Sequence, residues 1–368
     1  MKLSLLFSFN TSLAFWQKKG ILDREKKIYE ELLRTKTFDT IYWFTYGVDD
    51  QKFKNLVNQK IIIVPLPKIF NSYPGKIIYS FILPVIHYKI IKTCSFVKTN
   101  QNIGGWTAVI IKKILKKKLL ARSGYLWSAF EKEKSFKEKI ASFTEKKLYK
   151  NADVISVASQ HDKKTIIKKY KINSAKINVI YNYVDTNIFK PMANIKKNKD
   201  IIYVGRISQQ KNIKNLITAL SKLPYVLDIY GEGELQQELK NYSKKIGAKV
   251  NYKGKIDNAF LPVILNQYKL FILPSLYEGM PKSLLEAMAC GLPCLGTNVV
   301  GINEVIDHKK NGYLVEPDTK SIKNGINILM ENIILTKKIG SCARIKIIEY
   351  FSLNKIVQEE IEIYKQIT

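Results

Sequence analysis

The chain has 368 residues, 46% of them hydrophobic, and a formal net charge of +30. That length exceeds one ordinary core and suits two domains of about 180 residues each. Cys94, Cys290, Cys294 and Cys342 form no C-x-x-C pair, and His87, His161 and His308 are scattered, which argues against a disulfide framework or a zinc site and fits a reducing cytosol. The charge is uneven: residues 1–190 hold 36 Lys/Arg against 14 Asp/Glu, and the remainder 25 against 17. Such a field attracts anionic surfaces, whether phospholipid headgroups or nucleic acid, although overuse of Lys, Ile and Asn throughout offers a second source for the excess.

The first run, residues 3–9, superficially resembles a signal peptide. It is too short and lacks a small-residue cleavage pattern, so it reads as a buried strand. A polar loop follows from Asn10, then a helix over 24–33 and strands over 40–45, 61–65 and 95–99. This rhythm predicts a parallel sheet with helices on both faces. No stretch reaches 18 apolar residues, and the best candidate, 77–86, contains Pro84 and is flanked by lysines, so it cannot span a bilayer. Ligands in such sheets sit beyond the carboxyl ends of the strands, which singles out 10–16, 98–101 and 122–125 as mouth-lining loops. Arg122 reads either as a surface charge at a strand end or as a ligand contact, and its place at the mouth beside Gly124 favours the second. Residues 105–115 carry Ile110, Ile111, Ile114 and Leu115 on one helical face, with Lys112, Lys113, Lys116 and Lys117 on the other. A basic amphipathic helix can lie on a membrane, but the simpler reading packs the apolar face on the sheet and leaves the lysines as a solvated rim. Residues 151–159 turn and then run as a strand, with Ser159 and Asp162 suited to capping the next helix; His161 reads as an exposed polar residue.

A lysine-rich link near 191–200 divides the chain into domains 1–190 and 191–368. The second half repeats the pattern, with strands over 201–204, 226–230, 250–253, 270–273, 293–296 and 313–315 and a final helix over about 353–364. Gly231-Glu232-Gly233 is a turn whose G-x-G is a weak signal, without the full dinucleotide fingerprint. The strand at 201–204 ends in Gly205-Arg206, and Lys211-Asn212 precedes an amphipathic helix over 213–220, so two cations stand at the mouth of a strand-loop-helix unit.

The stretch that organises the second half is 274–293, P-S-L-Y-E-G-M-P-K-S-L-L-E-A-M-A-C-G-L-P. It reads as a strand end, a tight loop at Glu278-Gly279-Met280-Pro281, and a short helix. The amides of Lys282 and Ser283 at that helix start can bind an anion such as a diphosphate. Glu278 in the loop and Glu286 one turn into the helix can both offer acceptors to ligand hydroxyls. The alternative is equally open at this point: Ser283 and Glu286 have S-x-x-E spacing, so Glu286 could merely complete a capping box and Glu278 could be an exposed loop acid.

Gly205-Arg206, Lys211-Asn212, the glutamates Glu278 and Glu286 seven residues apart, and Asn182-Tyr183-Val184-Asp185 with Phe189 and Pro191 together resemble the retaining family-4 glycosyltransferases of the GT-B fold. The resemblance implies an α/β fold with two Rossmann-like domains facing across a cleft: 1–190 binds the acceptor, 191–368 binds the nucleotide-sugar donor, and the last helix crosses back to the first domain. It implies catalytic roles for Glu278, Arg206 and Lys211, and donor binding by Gly205, Arg206, Lys211, Ile256, Glu278, Gly279, Met280, Pro281, Lys282, Ser283 and Glu286. The Arg and Lys would neutralise the diphosphate, Glu278 would contact the donor sugar, and Glu286 would hold the ribose hydroxyls. On the first domain, Ser12 to Trp16, Arg24-Glu25, Lys98 to Gln101, Gly105-Trp106 and 122–128 resemble a bacterial subgroup acting in surface-polysaccharide assembly. The glycine pair and histidine that commoner members carry there are replaced, leaving Asn10, Ser12, Asn100, Arg122 and Tyr125 as acceptor-side candidates.

These expectations describe a hexosyl-transferring enzyme that retains configuration and uses neither metal nor other cofactor. Its substrates are a nucleotide-sugar donor and a glycan or lipid-linked saccharide acceptor, in polysaccharide or lipopolysaccharide biosynthesis. It would be cytoplasmic and peripheral at the inner, anionic face of the cytoplasmic membrane. Two rival readings are a GT-B nucleotide-sugar epimerase, which would turn over donor without acceptor, and a basic nucleic-acid-binding protein. The second lacks the aromatic-interleaved basic pattern of such proteins, so no nucleic acid is expected as a partner.

Overall fold

In the computed structural model, which describes residues 1–129 and 135–368, the chain forms two compact units, Met1–Ile180 with Val357–Thr368, and Tyr181–Ile356. The division falls ten residues before the expected 190/191. The segment after Ile180 is bonded into the second unit: Val184 pairs with Ser352, and Arg344 donates to the carbonyls of Thr186 and Phe189.

The first unit is built on a seven-stranded parallel sheet in the order β3-β2-β1-β4-β5-β6-β7. Its strands are β1 (Lys2–Leu6), β2 (Thr40–Phe44), β3 (Ile61–Val64), β4 (Phe96–Thr99), β5 (Lys118–Ser123), β6 (Val154–Val157) and β7 (Ile177–Val179). β5 and β7 are strands that the hydrophobic pattern alone does not mark. Leu3 sits level with Ile41 on one side and Phe96 on the other. Side chains on both faces are buried, which explains why these strands read as apolar runs instead of alternating ones. Helices α1 (Leu13–Lys18), α2 (Leu22–Arg34), α3 (Tyr73–Ile86), α4 (Tyr88–Thr93), α5 (Gly105–Leu115), α6 (Phe136–Asn151) and α7 (Gln160–Tyr170) cover the sheet. Ser159 caps α7 by accepting the Asp162 amide. On one side of the sheet Phe7 stacks on Trp16 at 4.4 Å, with Trp43 and Tyr29 edge-on, an arrangement that suits ring quadrupoles.

α5 packs inward through Ala108, Val109 and Ile111, but the expected face is only partly enclosed: Ile110 and Leu115 are half-buried and Ile114 is 57% exposed. Two of its neighbouring lysines are tied structurally: Lys112 pairs with Asp153 at 2.6 Å, and Lys117 donates to the carbonyls of Lys92 and Cys94.

The second unit has a six-stranded parallel sheet in the order β10-β9-β8-β11-β12-β13. The strands are β8 (Lys199–Val204), β9 (Leu227–Tyr230), β10 (Val250–Gly254), β11 (Tyr268–Leu273), β12 (Cys294–Thr297) and β13 (Tyr313–Val315). Between and after them run α8 (Ile213–Leu220), α9 (Gln236–Lys245), α10 (Leu261–Leu265), α11 (Lys282–Ala289), α12 (Thr319–Glu331) and α13 (Ile333–Phe351). The final helix α14 (Leu353–Ile367) runs three residues beyond the expected end and contributes its last residues to the first unit. There Tyr364 packs between Phe38 and Phe96, each at 5.2 Å.

Candidate active site

In the second sheet the chain moves outward from β8 to β9 and β10, then returns to the other side of β8 to lay down β11, β12 and β13. The strand order therefore reverses between β8 and β11. Loops leaving the carboxyl ends of two such strands diverge and leave a crevice, the usual ligand site of open parallel sheets. The two loops here are 205–212 after β8 and 274–281 after β11. They are also the two segments that carry the cations and the loop glutamate.

The structure joins them. Lys211 Nζ donates to Glu278 Oε1 at 2.5 Å, and Ser275 Oγ donates to the same oxygen at 2.6 Å. Glu278 is mostly enclosed, with 8% of its side chain exposed, and is thus not a solvated loop acid. Gln210 Nε2 donates to the Tyr277 carbonyl and the Leu276 amide to the Gln210 carbonyl, so backbone as well as side chains hold the loops together. The loop is pressed from above by Gly301, whose φ of +83° and 2.3 Å approach of its missing Cβ position to the Gly279 carbonyl leave room only for glycine.

Arg206 lies at the mouth with its side chain exposed and makes no ion pair with the described residues. Its carbonyl accepts from Tyr203 Oη at 2.8 Å. Burial, reinforced by the Glu278 charge, pushes the Tyr203 phenol well above its ordinary pKa, so it stays a donor. Gly205 follows β8 directly, and the Gly231-Glu232-Gly233 turn backs onto it. A Cβ on Gly231 would fall 1.8 Å from the Gly205 carbonyl, so this G-x-G serves backbone packing at the crevice.

α11 begins at Lys282 with Pro281 as its N-cap and no side-chain cap. Ser283 is thus already inside the helix, and Glu286 is not at the third helical position that a capping box requires. Instead Glu286 is buried at 6% exposure and accepts from Asn258 Nδ2 at 3.3 Å, in the loop after β10 that also holds the half-buried Ile256. Proline has no amide hydrogen, and Leu284 N–H bonds the Pro281 carbonyl, so the Lys282 and Ser283 amides form the first turn of the helix, at the positive end of its dipole. The Met280 carbonyl accepts from Asn182 Nδ2 at 3.1 Å, so the Asn182 motif braces this turn. The sequence motif flagged Asn182 without indicating that contact; Ser275 was not signalled at all.

Asn10, Ser12, Asn100 and Tyr125 lie beyond the carboxyl ends of β1, β4 and β5, around that sheet's own reversal between β1 and β4, while Arg122 is still within β5, one residue from its end. Asn10 is exposed, in left-handed backbone at φ +60°, and its side chain accepts from Lys76 Nζ at 2.8 Å. Ser12 caps α1 by accepting the Phe15 amide at 3.1 Å. Asn100 is buried, and Tyr125 is half-buried with its phenol raised by burial and then by Glu145. Arg122 points its guanidinium at Glu360 Oε1 on α14, 3.6 Å away.

That carboxylate centres a network that sequence reading missed. Lys98, at the end of β4, and Glu360 are each 1% exposed and form a buried ion pair, joined by the Tyr364 hydroxyl, which accepts from Lys98 Nζ at 2.7 Å and donates to Glu360. Burial alone would raise Glu360, but Lys98 and Arg122 outweigh it and hold the carboxyl below its ordinary range. Burial pushes the Lys98 ammonium down to about 8, leaving it charged at neutral pH. The only available hint was a Lys inside an otherwise apolar strand.

Comparison with known proteins accords with this geometry. Residues 38–188 match the family model described as Glycosyltransferase Family 4, and residues 184–346 match that of Glycosyl transferases group 1. An uncharacterized glycosyltransferase of Methanocaldococcus jannaschii is 29% identical over 82% of this chain and 81% of its own length. The Escherichia coli UDP-Gal:alpha-D-GlcNAc-diphosphoundecaprenol alpha-1,3-galactosyltransferase is 32% identical, over 55% of this chain and 57% of that protein, so the chain spans little more than half of that relative. Among solved structures, Anabaena HepE in complex with UDP superposes with a TM-score of 0.80 over the whole of both chains at 20% identity. The two family matches run without a gap from residue 38 to 346, and the chain belongs to the family-4, group 1 glycosyltransferases, with the GT-B fold.

Proposed function

We propose that the protein is a retaining, metal-independent hexosyltransferase that moves a sugar from a nucleoside diphosphate sugar to a hydroxyl of a glycan or lipid-linked saccharide, in the assembly of surface polysaccharide or lipopolysaccharide. The observation that carries this reading is the Lys211–Glu278 pair at the β8/β11 reversal, with exposed Arg206 in the loop beside it and the Lys282 and Ser283 amides in the first turn of α11. Transfer breaks the bond from the anomeric carbon to the diphosphate oxygen, and the electron pair leaves on that oxygen. Fixed positive groups aimed at the developing charge are usually the largest catalytic term. In this reading Arg206, Lys211 and the two amides supply them, and buried Glu286 accepts from the ribose hydroxyls. Glu278 stabilises the positive charge that grows on the sugar as the bond lengthens. The acceptor oxygen then bonds the same face of the anomeric carbon, and its proton passes to the departing phosphate oxygen.

Before donor arrives, Lys211 and Glu278 neutralise each other, so neither charge is left unpaired in a partly dry site. A uridine diphosphate donor is favoured, because the E. coli relative is named for UDP-galactose and HepE was solved with UDP. The first unit takes the acceptor, with Asn10, Ser12, Asn100, Arg122 and Tyr125 as its contact candidates. The protein works in the cytoplasm, peripheral at the anionic inner membrane face, where lipid-linked acceptors reside. The test is a thermal-shift screen against UDP-, GDP-, ADP- and dTDP-sugars, since a ligand of the native state raises its melting temperature by mass action. A shift with one nucleotide class, undiminished by EDTA, is expected; no shift with any of them overturns the donor site.

A further inference from the structure

Between residues 51 and 130 the sequence holds thirteen lysines and one arginine and not a single Asp or Glu. Within that stretch lies α3, which apart from Lys76 and buried Ser80 is apolar on both its inner and its outer side. Its inner side buries Gly75, Tyr79, Leu83 and Pro84. Its outer side, one turn after another, presents Ile78, Phe81 and Val85, which are 54%, 51% and 65% exposed. A helix apolar on all sides is ordinarily enclosed on all sides. The neighbouring turns extend the same surface: Ile69 just before α3 is 83% exposed, and Tyr88 just after it is exposed as well. Trp106 from α5 lies stacked along Phe81 at 6.3 Å. Lysines rim this surface, with Lys68, Lys76, Lys89 and Lys92 on the same three elements and no carboxylate among them.

An apolar stripe ringed by cations and free of anions matches one solvent boundary well. It is the interface of an anionic bilayer, where phosphates meet acyl chains. A soluble protein partner would need matching acids, whereas a bilayer supplies both phosphates and hydrocarbon at the spacing of a single helix. α3 cannot cross: fourteen residues reach about 21 Å against roughly 30 Å of hydrocarbon, and among the described residues no helix is long and apolar enough to span.

We propose that α3 lies in the membrane interface, with Ile78, Phe81 and Val85 sunk among the acyl chains and the exposed Lys68, Lys89 and Lys92 on headgroup phosphates. This deepens the peripheral location proposed above and rests on it, but not on the donor chemistry. The element differs from the one the sequence suggested, since α5 packs inward and two of the lysines around it are bound to protein groups.

The test uses the full chain with phosphatidylcholine vesicles, with and without phosphatidylglycerol. The triple variant Ile78→Asn/Phe81→Asn/Val85→Asn changes only exposed side chains, and the exposed pair Ile333→Asn/Ile334→Asn on α13 is the control. Wild type should co-sediment with the anionic vesicles, less so but measurably at high salt, because apolar insertion is not screened. The triple variant should bind at least about tenfold more weakly at both salt levels, given what burying large apolar side chains is worth. The control should match wild type. Wild-type binding by the triple variant, or no vesicle binding by wild type, overturns the proposal, as does a solution dimer that the triple variant dissolves. Equal binding to neutral vesicles overturns the role of the lysines. The UDP-induced melting shift, read in parallel, reports the donor site alone, so the two readings fail separately.

Discussion

Lys211 and Glu278, 67 residues apart, meet at 2.5 Å where the second sheet reverses its strand order. Each is therefore the other's first electrostatic partner, and neither can be altered without changing the other's surroundings. If Lys211 and Arg206 face the leaving diphosphate, Lys211→Ala and Arg206→Ala should each lower turnover at least a hundredfold. That corresponds to about 3 kcal/mol for one charge-stabilising group. Because Lys211 also holds Glu278, Lys211→Ala combined with Glu278→Gln should cost less than the sum of the two. Additive losses would mean that the pair does not act as a unit.

The two glutamates should separate kinetically. Glu286 is buried one turn into α11 and beside Asn258, which suits a neutral, hydroxyl-bearing part of a nucleotide; Glu286→Gln keeps one acceptor oxygen and loses the charge. It should chiefly weaken UDP affinity, since charged acceptors hold hydroxyls more strongly. Glu278→Gln should instead lower the maximal rate more than it weakens UDP, the pattern of a contact that strengthens in the transition state. Calorimetric UDP affinities beside steady-state kinetics for both variants decide this. Two variants that behave as wild type would leave both carboxylates purely structural.

Much of this site was legible because its loops leave apolar strands that announce themselves, and because the charged residues fall at fixed distances from those strands. The capping-box alternative for Glu286 could not be dismissed from spacing, since S-x-x-E fits equally well before the helix start is known. Placing Pro281 at the N-cap settles it. Other features were hidden for physical reasons. β5 begins with a lysine and ends with Arg122-Ser123, so its polar ends mask a strand that is central in the sheet. The Lys98–Glu360 pair joins residues 262 apart, and no local period encodes a contact of that range. The outer stripe of α3 was visible as hydrophobicity, but only packing shows that nothing in its own unit covers it.

The Lys98–Glu360 pair predicts a pH dependence. Glu360 is held below its ordinary pKa in the folded chain, so the unfolded chain binds more protons across the window between the two values. Its stabilisation is full above the unfolded value, about 4.3, and is lost as pH falls through the folded one. Glu360→Gln removes this term and strands Lys98 in a dry site, which should destabilise the first unit by about 3–5 kcal/mol at neutral pH. In urea unfolding monitored across pH, the gap between wild type and variant should begin to shrink below about pH 4 and close only beneath the folded-state pKa of Glu360. A gap that stays constant through acid pH would assign the loss to packing instead of charge.

The last prediction concerns Arg344, on α13, whose guanidinium donates to three backbone carbonyls. Nη1 reaches Phe189 at 2.6 Å and Ala289 at 2.8 Å, and Nη2 reaches Thr186 at 2.9 Å. Two of these lie in the segment 182–189 and the third at the last turn of α11, where unpaired carbonyls and the negative end of the helix dipole favour a cation. One side chain thus fastens three pieces of chain that include the helix presenting Glu286 and the Asn182 segment bracing Met280. Hydrogen bonds from charged donors are worth about 1.5–3 kcal/mol each, and water can replace some of them at this half-buried position, so Arg344→Ala should lower the stability of the second unit by about 2–4 kcal/mol. Arg344→Lys keeps the charge but not the planar fork, and should recover less than half of that loss. Both variants should lose UDP affinity before they lose fold, because α11 is fastened at its far end by this residue. The measurement is a urea midpoint beside a UDP titration at a temperature where all three proteins are folded. Should Arg344→Lys match wild type in both, charge alone suffices and the three-carbonyl geometry is incidental; should stability fall with UDP affinity unchanged, α11 does not depend on this clamp to hold the donor.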